Sequence, residues 1–482
     1  MPTANDFYII LPIIALVAWT LLVLLVDLWI PVEKKHITAL LAAAGLAISL
    51  GLSLSQFGHS GLGFTNMVIL DGFSNVLTVL FLISGIAGIA MAHDYLKRNQ
   101  AERGEYYTLL LFSIAGMMLM ASADDLIVVF LALELLSIPL YILAGFFRPR
   151  LDSEEAALKY FLLGAFSSAF LLFGIALIFG ATARTDLPGI IAAVGDPNAN
   201  QMLFLSGAAM LLVGFGFKIG VVPFHMWVPD VYHGSPTSVS GFMAVAAKAA
   251  GFAGLLRVFT LVFPSIAPTL SPVLWGVAAA SMILGNVIAI SQTNIKRLLA
   301  YSSIANAGYI LMAFVPYGDA VIVRESVSAG LFYLLAYALT SFGAWSVVIE
   351  LEQAEGNGLS LSDFSGLGRK YPWLAIPMLV FMLSFAGIPI TMGFWGKFYL
   401  FKTAIDGGYT GLALIGLLTS LVSAFYYLRV VMYMYFKPGD PQIQPGIWVT
   451  VTAVVMAIGV VGLSFFPSPL FNLATQAILG MK

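Results

Sequence analysis

The 482-residue sequence has no cysteine. That absence removes disulfides, thiolate-ligated iron–sulfur clusters and cysteine-rich zinc sites. Histidine is scarce as well: the five are His36, His59, His93, His225 and His233, and no two share an unbroken helix at a spacing suited to haem or metal. No cofactor or metal is therefore expected in this chain. Charged residues make up only 10% of the sequence against 60% hydrophobic ones, with a formal net charge of −2. A water-soluble domain of this length is excluded, and no nucleic-acid partner is expected. Nucleotide loops are missing too, because "GFGFKIG" follows no strand and lacks the Walker spacing; it reads as small residues at a helix interface. No loop exceeds about twenty-five residues, which leaves no extramembrane catalytic domain.

What the chain has instead is fourteen apolar runs, each long enough to cross roughly 30 Å of hydrocarbon at about 1.5 Å per residue. They fall at 8–30, 37–57, 73–92, 106–122, 124–147, 155–180, 203–227, 237–263, 272–292, 296–316, 327–350, 373–401, 409–437 and 446–474. The runs are continuously apolar over about twenty residues, whereas barrel strands alternate over about ten. An all-α polytopic membrane protein is expected, a single membrane domain over 1–482. The residues before the first run hold no Lys or Arg and carry Asp6, so they lack the basic start of a signal peptide and the run reads as a retained helix.

Loop charge sets an orientation. The loops after odd-numbered runs hold Lys34, Lys35, Lys97, Arg98, Arg103, Arg148, Arg150, Lys296, Arg297, Arg369, Lys370 and Lys437; the other side holds Arg184, Arg324, Lys402 and Lys482. Twelve against four puts the odd loops in the cytoplasm, and an even number of spans then puts both termini outside.

Arg257 and Arg429 lie near helix ends, where snorkelling accounts for them. Four lysines remain inside the runs: Lys159, Lys218, Lys248 and Lys397. A lysine at a helix centre costs roughly 2.5 to 3.5 kcal/mol on insertion scales, so each needs a reason. Glu134, in "DDLIVVFLALELLSIPLY", is the matching anion. For Glu134, Lys218 and Lys248, an ion or proton pathway competes with a paired structural network, and the number of costly cations favours the pathway. Lys159 lies one turn inside its run with Glu155 four residues before it, so a snorkelling surface lysine is the alternative to a pathway role. His225 follows Lys218 by seven residues, two turns along one face of an ideal helix, but Pro223 intervenes; relay and packed histidine both stay open. Asp27, Asp124 and Asp125 read as capping or solvated at interfaces, and Asp230 and His233 as structural loop residues.

Two runs are interrupted. Gly220 and Pro223 follow Lys218, and "FAGIPITMGFWGKF" sets Gly387, Pro389, Gly393 and Gly396 before Lys397. Both helices should unwind locally, and open backbone at membrane depth is tolerated only where it lines protein or water, so a hydrated cavity is expected at each. The interrupted runs are the fourth of two sets of five, 106–263 and 272–437, flanked by 1–105 with the first three runs and 446–482 with the last. Matching interruptions point to an internal repeat around a transport site, and the odd repeat length makes it inverted. An ion pair between Glu134 and Lys218 at about 4 Å is worth about 4 kcal/mol at an effective dielectric of about 20. Moving one charge across the membrane costs roughly 2.3 kcal/mol per 100 mV, so making and breaking that pair is a switch of suitable size.

The stretches "FLALELLSIPLYILAGF", "FKIGVVPFHMWVPDVYHGSPTSVSGFMAVAAKAAGFAGLLR", "SQTNIKRLLAYSSIANAGYILMA" and "AGIPITMGFWGKFYLF" together closely resemble the antiporter-like membrane subunits of respiratory complex I, NADH:quinone oxidoreductase, over nearly the whole chain. The pattern is nearest the N-type branch, because the chain stops after its last run without a lateral helix and has Lys397 where the M type typically carries glutamate. The resemblance implies a proton-translocating subunit of a bacterial inner-membrane respiratory chain. It implies that Glu134, Lys218, Lys248 and Lys397 form the pathway, with Lys159 and His225 as further members. FMN, iron–sulfur clusters and quinone would belong to partner subunits, and the neighbours would be K-type and M-type membrane subunits, the hydrophilic arm and membrane lipid. A proton would pass from Lys218 through Lys248 and ordered water to Lys397. The competing readings are a subunit of a multisubunit sodium/proton antiporter, the arm of a membrane-bound hydrogenase, and a structural spacer, for which four buried cations and two broken helices would have no use.

Overall fold

The computed structural model describes residues 2–148, 150–195, 200–353 and 356–478; Lys482, counted among the loop charges, lies outside them. Eleven helices among the described residues are long and apolar enough to cross a membrane, and Leu11–Asp27 and Pro372–Ala386 are shorter apolar helices. Their ends show why they start where they do. Backbone N–H groups left free in hydrocarbon cost several kcal/mol each, so polar caps recur at the starts. Asp71 opens Gly72–Arg98 in a reciprocal cap with Ser74. Asp125 accepts from Ile127 N at 2.7 Å to open Leu126–Ala144. Asn294 accepts from Lys296 N and Arg297 N to open Ile295–Phe314.

The core lies around Thr237–Val262 and Val323–Leu351, each 89% buried over its apolar window, against 39% for the lipid-facing Leu151–Thr182. The apolar runs gave no sign of a small antiparallel hairpin, Gly61–Gly63 against Val68–Leu70, or of a short helix at Leu187–Val194, because both are too brief for an apolar-run signal. The last run is divided: Ile447–Gly462 stops short of Pro467, which opens a separate helix, Pro467–Ile478.

Several charges sit elsewhere than expected. Arg257 does not snorkel; it is 1% exposed, donates two 2.9 Å hydrogen bonds to the Asp71 carboxylate, and donates to Ala121 O at 2.8 and 3.1 Å. Three helices are joined at that point. Lys296, expected in a loop, is buried and donates to Ser235 O at 2.8 Å. Asp27 is buried at its helix end with Lys35 at 2.6 Å and the Thr38 hydroxyl beside it, because a carboxylate at that depth needs partners.

Candidate functional site

Gln201–Ile219 carries Lys218 in its last turn and ends at Gly220, whose φ of +72° only glycine adopts at little cost. The chain turns through 221–226, with a cis peptide at Val222–Pro223, and resumes as Trp227–Gly234. Protein groups meet the opened backbone here: Trp227 Nε1 donates to Phe217 O at 2.9 Å, and Val222 N donates to Ser281 Oγ at 2.9 Å. Lys218 does not pair directly with Glu134. Its ammonium donates to Ser137 Oγ at 2.7 Å and stands 5.7 Å from the centre of the Tyr160 ring. Ser137 in turn donates to Leu133 O. Glu134, three residues before Ser137, has no partner at Oε1.

Lys248 begins the helix Lys248–Val262, just after a wide π-helical turn at Met243–Ala247. Such turns recur at functional sites because they shift the helix face by part of a turn. Lys218 and Lys248 each pack against the other's helix at the break. A Cβ on Gly251 would stand 3.1 Å from Lys218 Cγ, and one on Gly220 would stand 4.0 Å from Lys248 Nζ. The Lys248 ammonium donates to Ser303 O at 2.7 Å and to Ser303 Oγ at 2.5 Å.

From Ser303 a buried polar seam continues. Ser302 Oγ is 2.5 Å from Tyr427 Oη, and the Tyr426 and Tyr427 ring centres are 4.4 Å apart. Tyr426 donates to Asn286 Oδ1 at 2.8 Å, Asn286 Nδ2 donates to Tyr309 Oη at 3.1 Å, and Tyr309 donates to Thr419 Oγ1 at 3.2 Å. Ser420, next to Thr419, accepts from Lys397 Nζ at 2.8 Å. Lys397 also donates to Phe385 O at 2.8 Å and sits 5.0 Å from the centre of the Tyr309 ring. Phe385 O belongs to the last turn of Pro372–Ala386, where a cation offsets free carbonyls and the negative helix end. That helix stops at Gly387, φ +81°, and Met392–Asp406 restarts with Thr391 as its cap.

Lys218, Lys248 and Lys397 are each at most 4% exposed, and each ammonium donates to a serine hydroxyl. Lys159 is not brought to them: its side chain is 40% exposed and paired with Glu155 and Asp230, both at 2.7 Å. Asp230 also holds Arg297 at 2.9 Å, so this is an ion-pair network near a membrane face. His225 falls beyond the end of the Lys218 helix, so the two-turn spacing does not align them; it is half-buried with Nδ1 unpartnered. The residues missed in the sequence are Ser137, Ser302, Ser303, Asn286, Tyr309, Tyr426, Tyr427 and Ser420. Six of them fall in "YSSIANAGY" and "TSLVSAFYY", polar clusters that a helix can satisfy on its own backbone and that therefore do not stand out, while Ser137 and Asn286 stand singly in apolar runs. Among the described residues no group of three or more His, Asp or Glu could hold a metal ion.

A family model described as NADH:quinone oxidoreductase/Mrp antiporter, TM, matches residues 123–423, which includes most of this route. NADH-quinone oxidoreductase subunit N of Chloroflexus aggregans is 44% identical, over 98% of this chain and 97% of that protein. A chain in the solved structure of respiratory complex I from Thermus thermophilus with bound aureothin is 36% identical, covers 96% of this chain and 99% of its own length, and superposes with a TM-score of 0.83. A chain of the Mrp complex from Dietzia superposes equally well, TM-score 0.85 over 98% of this chain and 97% of that one, but at 19% identity shows likeness of fold alone.

Proposed function

The chain belongs to the NADH:quinone oxidoreductase/Mrp antiporter membrane family, and from that premise we propose that it is the proton-translocating N-type subunit of the complex I membrane arm. The identity to subunit N of Chloroflexus aggregans over nearly both full lengths supports that branch over the antiporter. The subunit spans the bacterial inner membrane many times, with both termini on the outer side by its loop-charge asymmetry. Its fourteen spans form two inverted five-helix repeats, a reading supported by the lysines Lys218 and Lys397 flanking the two helix breaks. FMN, iron–sulfur and quinone chemistry belongs to partner subunits, and the neighbours are K-type and M-type membrane subunits, the hydrophilic arm and lipid.

The observation that carries the proposal is the row of buried polar groups between Lys248 and Lys397, hydrogen-bonded in segments that adjacent residues bring side by side. Hydroxyls both donate and accept, so such a seam can hold a file of water between two lysines. Glu134 and Lys218 form the switch at its entrance. When Lys218 turns to Glu134, its charge is compensated and the proton stays; when it turns to Ser137, the compensation is lost and the proton is free to leave toward Lys248. Redox energy from the partner subunits sets which geometry is occupied. Tyrosines and serines then guide the proton to Lys397. Lys159, paired with Glu155 and Asp230, and His225, beyond the end of the Lys218 helix, stay outside this route.

Replacing Lys218 with alanine in the assembled complex, reconstituted in vesicles, is expected to abolish or sharply reduce proton pumping while assembly persists. Pumping retained at the parental proton-to-electron ratio overturns the assignment and favours a structural spacer.

A further inference from the structure

A groove of about 570 Å³ opens between Leu126–Ala144 and Leu151–Thr182, and Lys218, Lys248 and Lys397 are not among its lining residues. Its walls are Tyr141, Ile142, Leu158 and Phe161, and its mouth carries Arg103 and Arg148. Ile142, Leu158 and Phe161 are each at least half exposed on membrane-spanning helices, so the outer wall meets lipid. Arg103 and Arg148 are exposed, and the arginine ion pairs among the described residues involve other arginines, namely Arg150, Arg184, Arg257 and Arg297. Among the described residues no carboxylate lines the groove; Glu105, Asp152 and Glu154 lie in the first turns of the two helices but not in its wall.

The depth of the two arginines is set by the fold. Arg103 immediately precedes Gly104–Ser122, and Arg148 lies between the end of Leu126–Ala144 and the start of Leu151–Thr182. Both therefore stand where helices end, at the level of lipid headgroups. Neither Gly104–Ser122 nor Leu151–Thr182 has a side-chain cap, and Tyr106 N, Ser153 N and Glu154 N donate to the carbonyls of Arg103 and Arg150, which leaves the two arginines to hold an anion at that mouth. Two unpaired guanidiniums suit phosphate oxygens through paired N–H donors.

We propose that this groove binds an anionic glycerophospholipid. The phosphodiester lies between Arg103 and Arg148, and one acyl chain lies along Tyr141, Ile142, Leu158 and Phe161. Charge complementarity selects the anionic headgroup, and the exposed apolar wall selects a lipid over a free anion. A second groove gives the contrast. It is lined by Phe398, Phe401 and Lys402, but Lys402 is already paired with Glu325 at 3.0 Å and Asp406 at 2.7 Å, so it offers an apolar seat with no free cation. The arginine groove is also close to the switch, since the Tyr141 ring packs edge-on to Tyr160 at 4.7 Å between centres, and Lys218 faces Tyr160.

The test uses the assembled complex, delipidated and titrated with phosphatidylglycerol or phosphatidylcholine, with bound lipid counted by native mass spectrometry. Each basic residue at an anionic headgroup contributes about fivefold in affinity. R103Q and R148Q are each expected to weaken phosphatidylglycerol binding by about fivefold and the double variant by about twenty-five-fold, with phosphatidylcholine and the control K402Q unchanged. Equal phosphatidylglycerol affinity in the parent and both single variants overturns the proposal, even if the double variant fails to assemble. So does displacement of the lipid by inorganic phosphate alone, or a partner-subunit helix filling the groove in a density map of the complex.

Discussion

Ser137 Oγ takes the Lys218 ammonium at 2.7 Å, while Glu134, three residues earlier on the same helix, keeps Oε1 unpartnered. Glu134 is only partly buried and its Oε1 is free to receive the ammonium, as the proposed switch requires. A hydrogen bond to a charged group is worth roughly 1.5 to 3 kcal/mol, enough to shift the two settings against each other by tenfold or more. Ser137→Ala is therefore expected to drive Lys218 toward Glu134 and slow proton pumping by about an order of magnitude, while Ser137→Thr, which keeps a hydroxyl, stays near the parental rate. Vesicle pumping compared with electron input from NADH reads the difference.

Lys248 makes both of its hydrogen bonds to one residue, Ser303, through Oγ and the backbone carbonyl. Ser303→Ala removes only the first. Its expected effect on pumping is a few-fold loss, against at least tenfold for Lys248→Met, because the backbone acceptor survives the serine change. Comparable losses in the two variants would mean that Ser303 acts beyond holding Lys248.

The charged ends of the route were legible in the sequence because a lysine in an apolar run is expensive and therefore conspicuous. Gly220 and Gly387 were legible for a similar reason, since glycine and proline in a span demand a backbone explanation. Ser137, Ser303 and the tyrosines were not, because a hydroxyl in a helix can bond its own backbone at little cost, as Ser346 does with Phe342 O at 2.8 Å. Only packing distinguishes that bland use from Tyr309 or Tyr426, whose hydroxyls cross between helices. Arg257 misled in the opposite direction: its place near a helix end suggested snorkelling, and its partner Asp71 lies 186 residues away. A pairing of that sequence separation leaves no local pattern.

The Arg257–Asp71 pair is 1% and 0% exposed at the side chains, with both carboxylate oxygens at 2.9 Å from guanidinium nitrogens. Removing one partner leaves an unpaired buried charge, at a cost of roughly 3 to 5 kcal/mol. Arg257→Met is expected to lower the thermal stability and yield of assembled complex, with turnover per assembled complex unchanged. The double variant Arg257→Met/Asp71→Asn should recover part of the loss, since both charges of the pair are then removed together.

Gly220 holds the break open at φ +72°, and a Cβ there would stand 2.8 Å from Val228 Cγ2. Gly220→Ala combines a left-handed backbone cost of roughly 1 to 2 kcal/mol with that clash. Gly276, in the middle of Ala267–Ser291, has nothing within 4 Å of its Cβ position. Gly276→Ala is expected to be neutral or mildly stabilising. Thermal melts of the two assembled variants should therefore move in opposite directions or differ clearly in size.

Tyr309 separates a packing role from a relay role. Its ring lies under the Lys397 ammonium, and its hydroxyl joins Asn286 to Thr419. Tyr309→Phe keeps the ring and its attraction for the cation, and loses only the hydroxyl. Two neutral hydrogen bonds contribute about 1 kcal/mol each, so the assembled complex should remain stable. If the hydroxyl anchors the water between Lys248 and Lys397, pumping should fall several-fold in Tyr309→Phe and further in the double variant with Tyr426→Phe. An unchanged proton-to-electron ratio in both would show that protons reach Lys397 without the tyrosine seam.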